Sequence, residues 1–321
     1  MPTTATDRTA LLEGIHVLDG GMATELEQLG ANIDGPLWSA HILEDFPEKV
    51  AAVHRAYIAA GADCIETASY QVSRRGYAEF GLTTEQADAA LLKAIRVAHA
   101  AAAESSDHRV LVAASLGPYG AALHNGAEYH GNYDCTFEDL VSFHRERIKV
   151  LANANDEARA DLLAFETLPS LQETEAIGEA LAPWPQIAAW FSYTCKDARH
   201  VAHGEPLAVC ARLAATFPQT VAIGVNCTHP TLIAALIGEL RRSSAQPIVV
   251  YPNSGEGWDA EGRHWTGTVN PAGFTSQASE WFALGAQIVG GCCRTRPAHI
   301  QRIAESARNH APKAVTGQVD S

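Results

Sequence analysis

The chain has 321 residues, of which 47% are hydrophobic and 19% are charged, and its formal net charge is -14 at pH 7. This composition supports a sizeable buried core and argues against an intrinsically disordered chain. Lys and Arg are not concentrated in any block, and nucleic-acid binding requires concentrated positive charge, so nucleic acid is excluded as an expected partner.

The first residues, the apolar runs and the cysteine count indicate where the protein is located and whether its cysteines are reduced. The first residues lack the basic start and the apolar run of a signal peptide, and no apolar run approaches 18 residues, so we expect a cytoplasmic protein without a membrane partner. Seven cysteines are an odd number for a disulfide framework. Reduced thiols therefore remain available as metal ligands or nucleophiles.

Eight short apolar runs alternate with segments of helical periodicity along the chain. Runs such as VLVAAS and VAIGVN are continuously apolar, which is typical of parallel strands covered on both faces. The pattern predicts an α/β fold, a single (β/α)8 TIM barrel. The predicted strands cover residues 15–19, 64–69, 110–116, 162–166, 187–193, 221–226, 248–251 and 288–291.

No linker or low-complexity segment divides the interior, so we expect one barrel domain over residues 11–311. Residues 1–10 and 312–321 are expected to be flexible tails. An extra segment over 32–45 delays the first helix, and a loop rich in Gly, Tyr and His covers 117–135. A long loop in a compact domain is often a functional lid, although surface ornament is the alternative reading.

The active site of a parallel barrel lies at the carboxyl ends of its strands. Cys227 follows the sixth predicted strand, and the adjacent Cys292 and Cys293 follow the eighth. Neighbouring strands are about 4.8 Å apart, so side chains at these two strand ends can reach one ion. Three thiolates favour zinc and leave one coordination position open for a substrate. The alternatives are a buried small hydrophobe for Cys227 and a redox-active or packed role for the vicinal pair.

Several segments resemble the homocysteine S-methyltransferases, a family that includes enzymes using S-methylmethionine and, more distantly, betaine-homocysteine methyltransferase and the homocysteine domain of methionine synthase. The similarity runs nearly end to end, and the combination of GVNC with GGCC is its most specific part. The resemblance implies a zinc-bearing barrel with Cys227, Cys292 and Cys293 as ligands. The matching segments include LDGGMATELE at 18–27, ETASYQ at 66–71, FETLPS at 165–170, GVNC at 224–227 and GGCCRT at 290–295.

The same resemblance places Asp19 and Glu166 where the family holds the amino group of homocysteine. Two carboxylates on facing strand ends can share an ammonium through charge-assisted hydrogen bonds. Backbone amides in the turn formed by Gly20 and Gly21 suit the carboxylate of the same substrate. A structural hydrogen bond to a neighbouring loop is the alternative for either acid.

Five further residues are candidates on the same rim. Thr67 and Asn226 are expected either to support the binding residues or to cap strand ends. Trp38, Tyr70 and Tyr119 lie in rim loops, where an aromatic face can receive a small cation, or can simply pack within the loop. The resemblance favours Trp38, because the family's donor site uses an aromatic residue after this first loop.

These observations predict zinc-dependent methyl transfer to L-homocysteine, giving methionine, with one Zn²⁺ per chain. A free thiol has a pKa near 8.5 and is mostly protonated at neutral pH, whereas a metal-held thiol is a thiolate. The donor must carry a good leaving group such as a sulfonium; S-methylmethionine is expected first and S-adenosylmethionine second. The partners are therefore small molecules, and the oligomeric state stays open.

Other functions are compatible with parts of this pattern. Betaine or selenocysteine-type methyl transfer would use the same barrel. A lyase or aldolase would need a Schiff-base lysine, for which Lys196, just beyond the fifth predicted strand, is the candidate. A zinc-storage or thiol-sensing protein would use the cysteines without an amino-acid pocket.

Overall fold

The protein is described from a computed structural model, which covers residues 10–14, 16–32, 39–259, 264–266 and 271–310. The strands are β1 (Cys64–Glu66), β2 (Leu111–Leu116), β3 (Leu162–Leu168), β4 (Ala189–Tyr193), β5 (Thr220–Asn226), β6 (Ile248–Tyr251), β7 (Gly257–Asp259), β8 (His264–Thr266) and β9 (Ile288–Val289). The helices are α1 (Met22–Gln28), α2 (Ser39–Asp45), α3 (Pro47–Ala59), α4 (Arg74–Ala78), α5 (Thr84–Ala103), α6 (Phe137–Ala152), α7 (Leu171–Leu181), α8 (Leu207–Ala214), α9 (Pro230–Ser243), α10 (Pro271–Leu284) and α11 (Pro297–His310).

Seven strands form one curled parallel sheet in the order β1-β2-β3-β4-β5-β6-β9. At least one helix separates each strand of this sheet from the next along the chain, as parallel neighbours require. Every residue of β2, β3 and β5 is buried, because both faces of these strands are covered. The prediction of an α/β fold with buried parallel strands is confirmed.

Alternate residues of each strand pack into two different parts of the core. Val112 and Phe191 belong to the larger cluster, which the sheet forms with the surrounding helices. Their neighbours Ala113 and Trp190 belong to a second cluster on the opposite face. This period of two lets short strands separate the helix layer from an inner core.

The chain over residues 16–19 touches both edges of the sheet. Val17 forms a parallel bridge with Val289 of β9, and Leu18 forms one with Cys64 of β1. The Leu18 N–H donates to the Val289 carbonyl at 3.0 Å, and the Asp19 N–H donates to the Cys64 carbonyl at 3.1 Å. A strand is predicted over 15–19; residues 16–19 of that segment lie against β1 and β9 through these isolated bridges.

Three sequence expectations differ from the observed elements. The first helix was expected to be delayed by a segment over 32–45, but α1 begins at Met22, and α2 lies within that segment. The strand predicted over 64–69 ends at Glu66, because the Ser69 N–H donates to the Thr67 carbonyl at 2.8 Å and the chain turns there. An antiparallel pair, β7 with β8, lies between β6 and α10 and was not predicted.

Among the described residues, none of the helices combines the length and apolar character that a membrane span needs.

Parallel strands direct their carboxyl ends to one edge of the sheet, so their last residues form a common rim. Glu66 ends β1, Glu166 lies near the end of β3, and Asn226 ends β5. The rim positions the candidate site. Trp38 and nearly all of the two expected tails fall outside the described residues.

Candidate metal centre and substrate pocket

Three cysteine sulfurs meet at the rim. The Sγ atom of Cys227 lies 2.9 Å from that of Cys292 and 3.5 Å from that of Cys293, and the last two sulfurs are 3.9 Å apart. Cys227 directly follows β5, whereas the other two follow β9, and β6 lies between these strands. The fold thus brings together thiols that are 65 positions apart in sequence.

Backbone contacts fix the two cysteine segments. Cys227 has a positive φ of 47°, a left-handed conformation that few residues other than glycine adopt. Its N–H donates to the Tyr251 carbonyl at 3.2 Å, and its carbonyl accepts from the Thr194 hydroxyl at 3.2 Å. The Cys292 N–H donates to the Pro252 carbonyl at 2.8 Å. This strained turn aims the Cys227 sulfur across the rim.

The sulfur triangle fits a tetrahedral ion. Zn–S bonds of about 2.3 Å require ligand sulfurs about 3.8 Å apart, and the observed separations lie within about 1 Å of that value. The Sγ atoms of the three cysteines all lie within 4.8 Å of one another, close enough for one metal ion to bind all three. Hydrogen bonds from the other two thiols lower the pKa of Cys293 well below its ordinary value. A soft three-sulfur donor set of this kind suits zinc.

A cavity opens beside the sulfurs. It brings together most of the residues predicted for the site: Gly20, Gly21, Thr67, Tyr70, Glu166, Cys227, Cys292 and Cys293. Glu66, Glu128, Tyr129 and Tyr251 also line it, although sequence reasoning had not assigned them a role. The cavity therefore combines thiols, carboxylates and aromatic rings.

Two buried acids, Asp19 and Glu166, and the half-buried Glu66 form an acidic cluster at the rim. Asp19, predicted to bind the substrate, is 2% exposed and is not part of the cavity lining; its Oδ2 accepts the Glu66 N–H at 3.0 Å. The Ser115 hydroxyl donates to Glu166. Burial raises the pKa of Glu166 to about 7, and burial followed by the charge of Glu166 raises that of Asp19 well above its ordinary value. Such a cluster gains from an ammonium, which neutralises it and donates hydrogen bonds.

Glu66 reinforces this acidic cluster. Burial, followed by the charges of Glu166 and Asp19, raises the pKa of Glu66 well above its ordinary value. Its Oε1 atom is buried and has no hydrogen-bond partner among the described residues. The signal in the sequence was its position at a strand end, next to Thr67.

Asn226 supports the end of β3 rather than lining the cavity. Its Oδ1 accepts the Thr167 N–H at 2.7 Å, and its Nδ2 donates to the Thr167 hydroxyl at 2.9 Å. The same Nδ2 lies 3.5 Å from Glu166 Oε2. Thr167 has a positive φ of 58°, which is unfavourable for a β-branched residue. Asn226 therefore holds the strained turn that presents Glu166.

The glycine turn only partly matches its predicted role. The Gly21 N–H donates to the Thr295 hydroxyl at 3.1 Å, so it is not free for a substrate carboxylate. A Cβ atom on Gly20 would lie 2.9 Å from the Tyr57 ring, and one on Gly21 would lie 2.8 Å from the Cys292 carbonyl. The glycines allow close packing of this turn against the cysteine segment.

Of the two described tyrosines predicted to receive a small cation, Tyr70 lines the cavity, whereas Tyr119 does not. The Tyr119 ring packs edge-on against Phe143 at 5.2 Å between centroids, and the Arg75 guanidinium lies 5.0 Å from its centroid. Tyr119 is thus occupied in loop packing, and Tyr129 from the same loop takes its place, with its hydroxyl 3.7 Å from Cys227 Sγ.

The Schiff-base alternative has no geometric support. Lys196 is exposed and lies outside the cavity lining. Its backbone N–H donates to the His200 carbonyl at 3.1 Å in the turn after β4. A Schiff-base lysine needs a buried, desolvated setting, and the exposed Lys196 does not have one.

The homocysteine S-methyltransferase family model matches residues 16–307. The chain belongs to the homocysteine S-methyltransferase family. It is 45% identical over 305 residues to homocysteine S-methyltransferase YbgG of Bacillus subtilis (strain 168), covering 91% of this chain and 94% of that protein. It is 43% identical over 294 residues to the homocysteine S-methyltransferase of Escherichia coli (strain K12), covering 90% and 94%.

A solved structure agrees with the sequence comparison. The metallated form of the homocysteine methyltransferase MmuM from Escherichia coli superimposes with a TM-score of 0.81 at 40% identity, covering 92% of this chain and 98% of that one. The family resemblance seen in the sequence is confirmed, and the chain is a methyltransferase that acts on homocysteine.

No sequence signal had singled out Tyr129 and Glu128 beyond their place in the loop over 117–135.

Proposed function

We propose that this enzyme transfers a methyl group from a sulfonium donor, S-methylmethionine, to the thiolate of L-homocysteine, and that it depends on zinc. The observation that carries the proposal is the triangle of Cys227, Cys292 and Cys293, with sulfurs 2.9 to 3.9 Å apart, at the mouth of an acid-lined cavity. Three protein ligands leave a tetrahedral ion one position for a substrate.

The chain's own residues hold the acceptor. Glu166 lines the cavity and binds the ammonium of homocysteine, Asp19 adds its carboxylate to the acid cluster next to Glu166, and Asn226 and Thr167 keep Glu166 in place. Zinc held by the three sulfurs would supply a positive charge that favours the deprotonated form of the substrate thiol. The walls of the cavity keep the acceptor in one orientation, which lowers the entropic cost of reaching the transition state.

Displacement at the methyl carbon needs the donor on the opposite side of that carbon from the acceptor sulfur. A sulfonium is a good leaving group because it departs as a neutral thioether. The rings of Tyr70 and Tyr129 line the cavity near the cysteines, and an aromatic face attracts a small cation. The acids and thiols of the cavity add a negative field that favours a cationic donor over a neutral or anionic one.

The fold proposal accompanies the functional one. We propose that residues 16–19 supply an eighth strand, which closes a (β/α)8 barrel within residues 11–311. The parallel bridges of Val17 and Leu18 to β9 and β1 support this closure. In such a barrel the cysteines and acids occupy the end at which catalytic residues are found.

Methionine formation from a panel of methyl donors tests the proposal. The enzyme is assayed with L-homocysteine and S-methylmethionine, S-adenosylmethionine or betaine, before and after removal of metal by a chelator. Turnover with a sulfonium, lost on chelation and restored by Zn²⁺, is expected. Undiminished turnover after complete metal removal refutes the zinc requirement, and turnover with betaine alone refutes the donor. Calorimetry with homocysteine on zinc-loaded protein separates an enzyme from a storage protein, which would bind no amino acid.

A further inference from the structure

The loop over 117–135 brings to the cavity a carboxylate that the acceptor does not use. Glu128 lies in the short 3-10 helix Ala127–Tyr129 and lines the cavity together with Tyr70 and Cys293. Its side chain is 9% exposed. The Oε2 atom of Glu128 is buried and has no hydrogen-bond partner among the described residues. A buried acceptor without a partner is destabilising unless a ligand donates a hydrogen bond to it.

The surroundings of Glu128 specify the ligand's charge. Burial raises the pKa of Glu128, and the negative charge of Cys293 raises it further. A cation beside a buried carboxylate stabilises its charged form, so a positively charged ligand is favoured next to Glu128.

The unpaired oxygen specifies the ligand's chemistry. A sulfonium carries positive charge but has no N–H group, so it cannot satisfy a hydrogen-bond acceptor. An ammonium provides both the charge and the N–H donors. Homocysteine has one ammonium, and the acid cluster of Asp19 and Glu166 is assigned to it. A donor that is itself an α-amino acid brings a second ammonium.

The loop is anchored so that Glu128 stays at this place. Glu173 is fully buried; it accepts the Tyr119 N–H at 2.5 Å and the Tyr133 hydroxyl at 3.0 Å, on either side of Glu128 along the chain. A Cβ atom on Gly120 would lie 2.5 Å from the Glu128 nitrogen, so the loop folds back on itself only with glycine there. Tyr129, the next residue, reaches the Cys227 sulfur at 3.7 Å. A donor bound at Glu128 therefore lies beside the sulfurs.

We propose that Glu128 binds the α-ammonium group of the methyl donor and so makes the enzyme selective for donors that are α-amino acids. The inference rests on the proposed methyl transfer and adds a specificity residue to it. The aromatic rings then receive the sulfonium, while Glu128 fixes the other end of the same molecule.

Steady-state kinetics of Glu128→Gln test this role. Two donors are compared: S-methylmethionine, and dimethylsulfoniopropionate, which keeps the sulfonium and the carboxylate but lacks the amino group. In Glu128→Gln, kcat/KM for S-methylmethionine is expected to fall about tenfold or more, because a charge-assisted hydrogen bond is lost. The KM for homocysteine and the kcat/KM for dimethylsulfoniopropionate should stay within about twofold of wild type.

Two variants control for structure. Asp134→Asn removes the same charge from an exposed position in the same loop and should change neither constant. Glu128→Asp keeps the charge and should recover part of the lost selectivity. A melting temperature equal to that of wild type shows that the loop is intact.

Several results would overturn the role of Glu128. These are an unchanged constant for S-methylmethionine, an equal loss with both donors, a rise in the homocysteine KM, or a wild-type preference between the two donors below about twofold. Failure of the proposed methyl transfer looks different, since the wild-type enzyme would then form no methionine from any sulfonium donor.

Discussion

Asn226→Ala should disrupt the strained turn that presents Glu166. Asn226 is fully buried, and its amide makes hydrogen bonds of 2.7 and 2.9 Å with the backbone N–H and the hydroxyl of Thr167. Truncation leaves the Thr167 N–H unpaired, at a cost of about 1–3 kcal/mol, and creates a small void worth about 1 kcal/mol. The free energy of unfolding should therefore fall by about 2–4 kcal/mol.

The same variant should lose acceptor binding, because Thr167 no longer keeps its φ of 58° and Glu166 moves with it. Homocysteine affinity should fall by about tenfold or more. Urea titration and calorimetry measure the two effects, and Asn132→Ala, at an exposed position, should change stability by less than about 0.5 kcal/mol. An Asn226→Ala protein within about 0.5 kcal/mol of wild type and with unchanged homocysteine affinity would refute this reasoning.

Three further predictions concern pH and packing. Burial lowers the pKa of His54 to about 4, so its contribution to stability is fully present above about pH 6.5 and is lost as pH falls towards 4. His54→Leu should remove about 2 kcal/mol of the fall in the free energy of unfolding between pH 7.5 and 5, measured by urea titration. The exposed control His41→Leu should keep the wild-type dependence on pH. Because burial raises the pKa of Glu166 to about 7, its carboxyl group is mostly neutral at pH 6 and mostly charged at pH 8. Calorimetry should therefore show a homocysteine affinity about tenfold higher at pH 8 than at pH 6, and this rise should shrink in Glu166→Gln. A Glu166→Gln enzyme with the full wild-type rise would disprove this role of Glu166. Gly21→Ala places a Cβ atom 2.8 Å from the Cys292 carbonyl. The variant should lose about 1–3 kcal/mol of stability, measured by thermal melting, and should bind less zinc, measured by elemental analysis. Wild-type values for both would contradict the packing described for this turn.

The cysteine cluster could be predicted because it depends only on strand order. Cys227 and the pair Cys292 and Cys293 follow strands with one strand between them, and strand spacing then brings their sulfurs close. Glu166 was found for the same reason, since it lies near the end of a continuously apolar run. Strand-end position is a local property that the pattern of apolar residues reveals.

The loop residues could not be predicted in the same way. Tyr119 and Tyr129 lie in one Gly-rich loop, and only the packing of Tyr119 on Phe143 and beneath Arg75 decides which ring reaches the cavity. The loop follows no helical or strand period, so nothing in its sequence tells which side chains point inward. The Gly21 amide was expected to be free for the same lack of information, because its partner Thr295 is 274 positions away.

The central claim is that three sulfurs bind the metal on which turnover depends. Elemental analysis of Cys292→Ser, beside the wild type and the half-buried control Cys135→Ser, tests it most directly when combined with a methionine assay of the same samples. The wild type and the control should each hold about one zinc per chain and turn over, whereas Cys292→Ser should hold less than about a tenth of that and be inactive. A Cys292→Ser enzyme with a full zinc complement, or full activity without metal, would contradict the account.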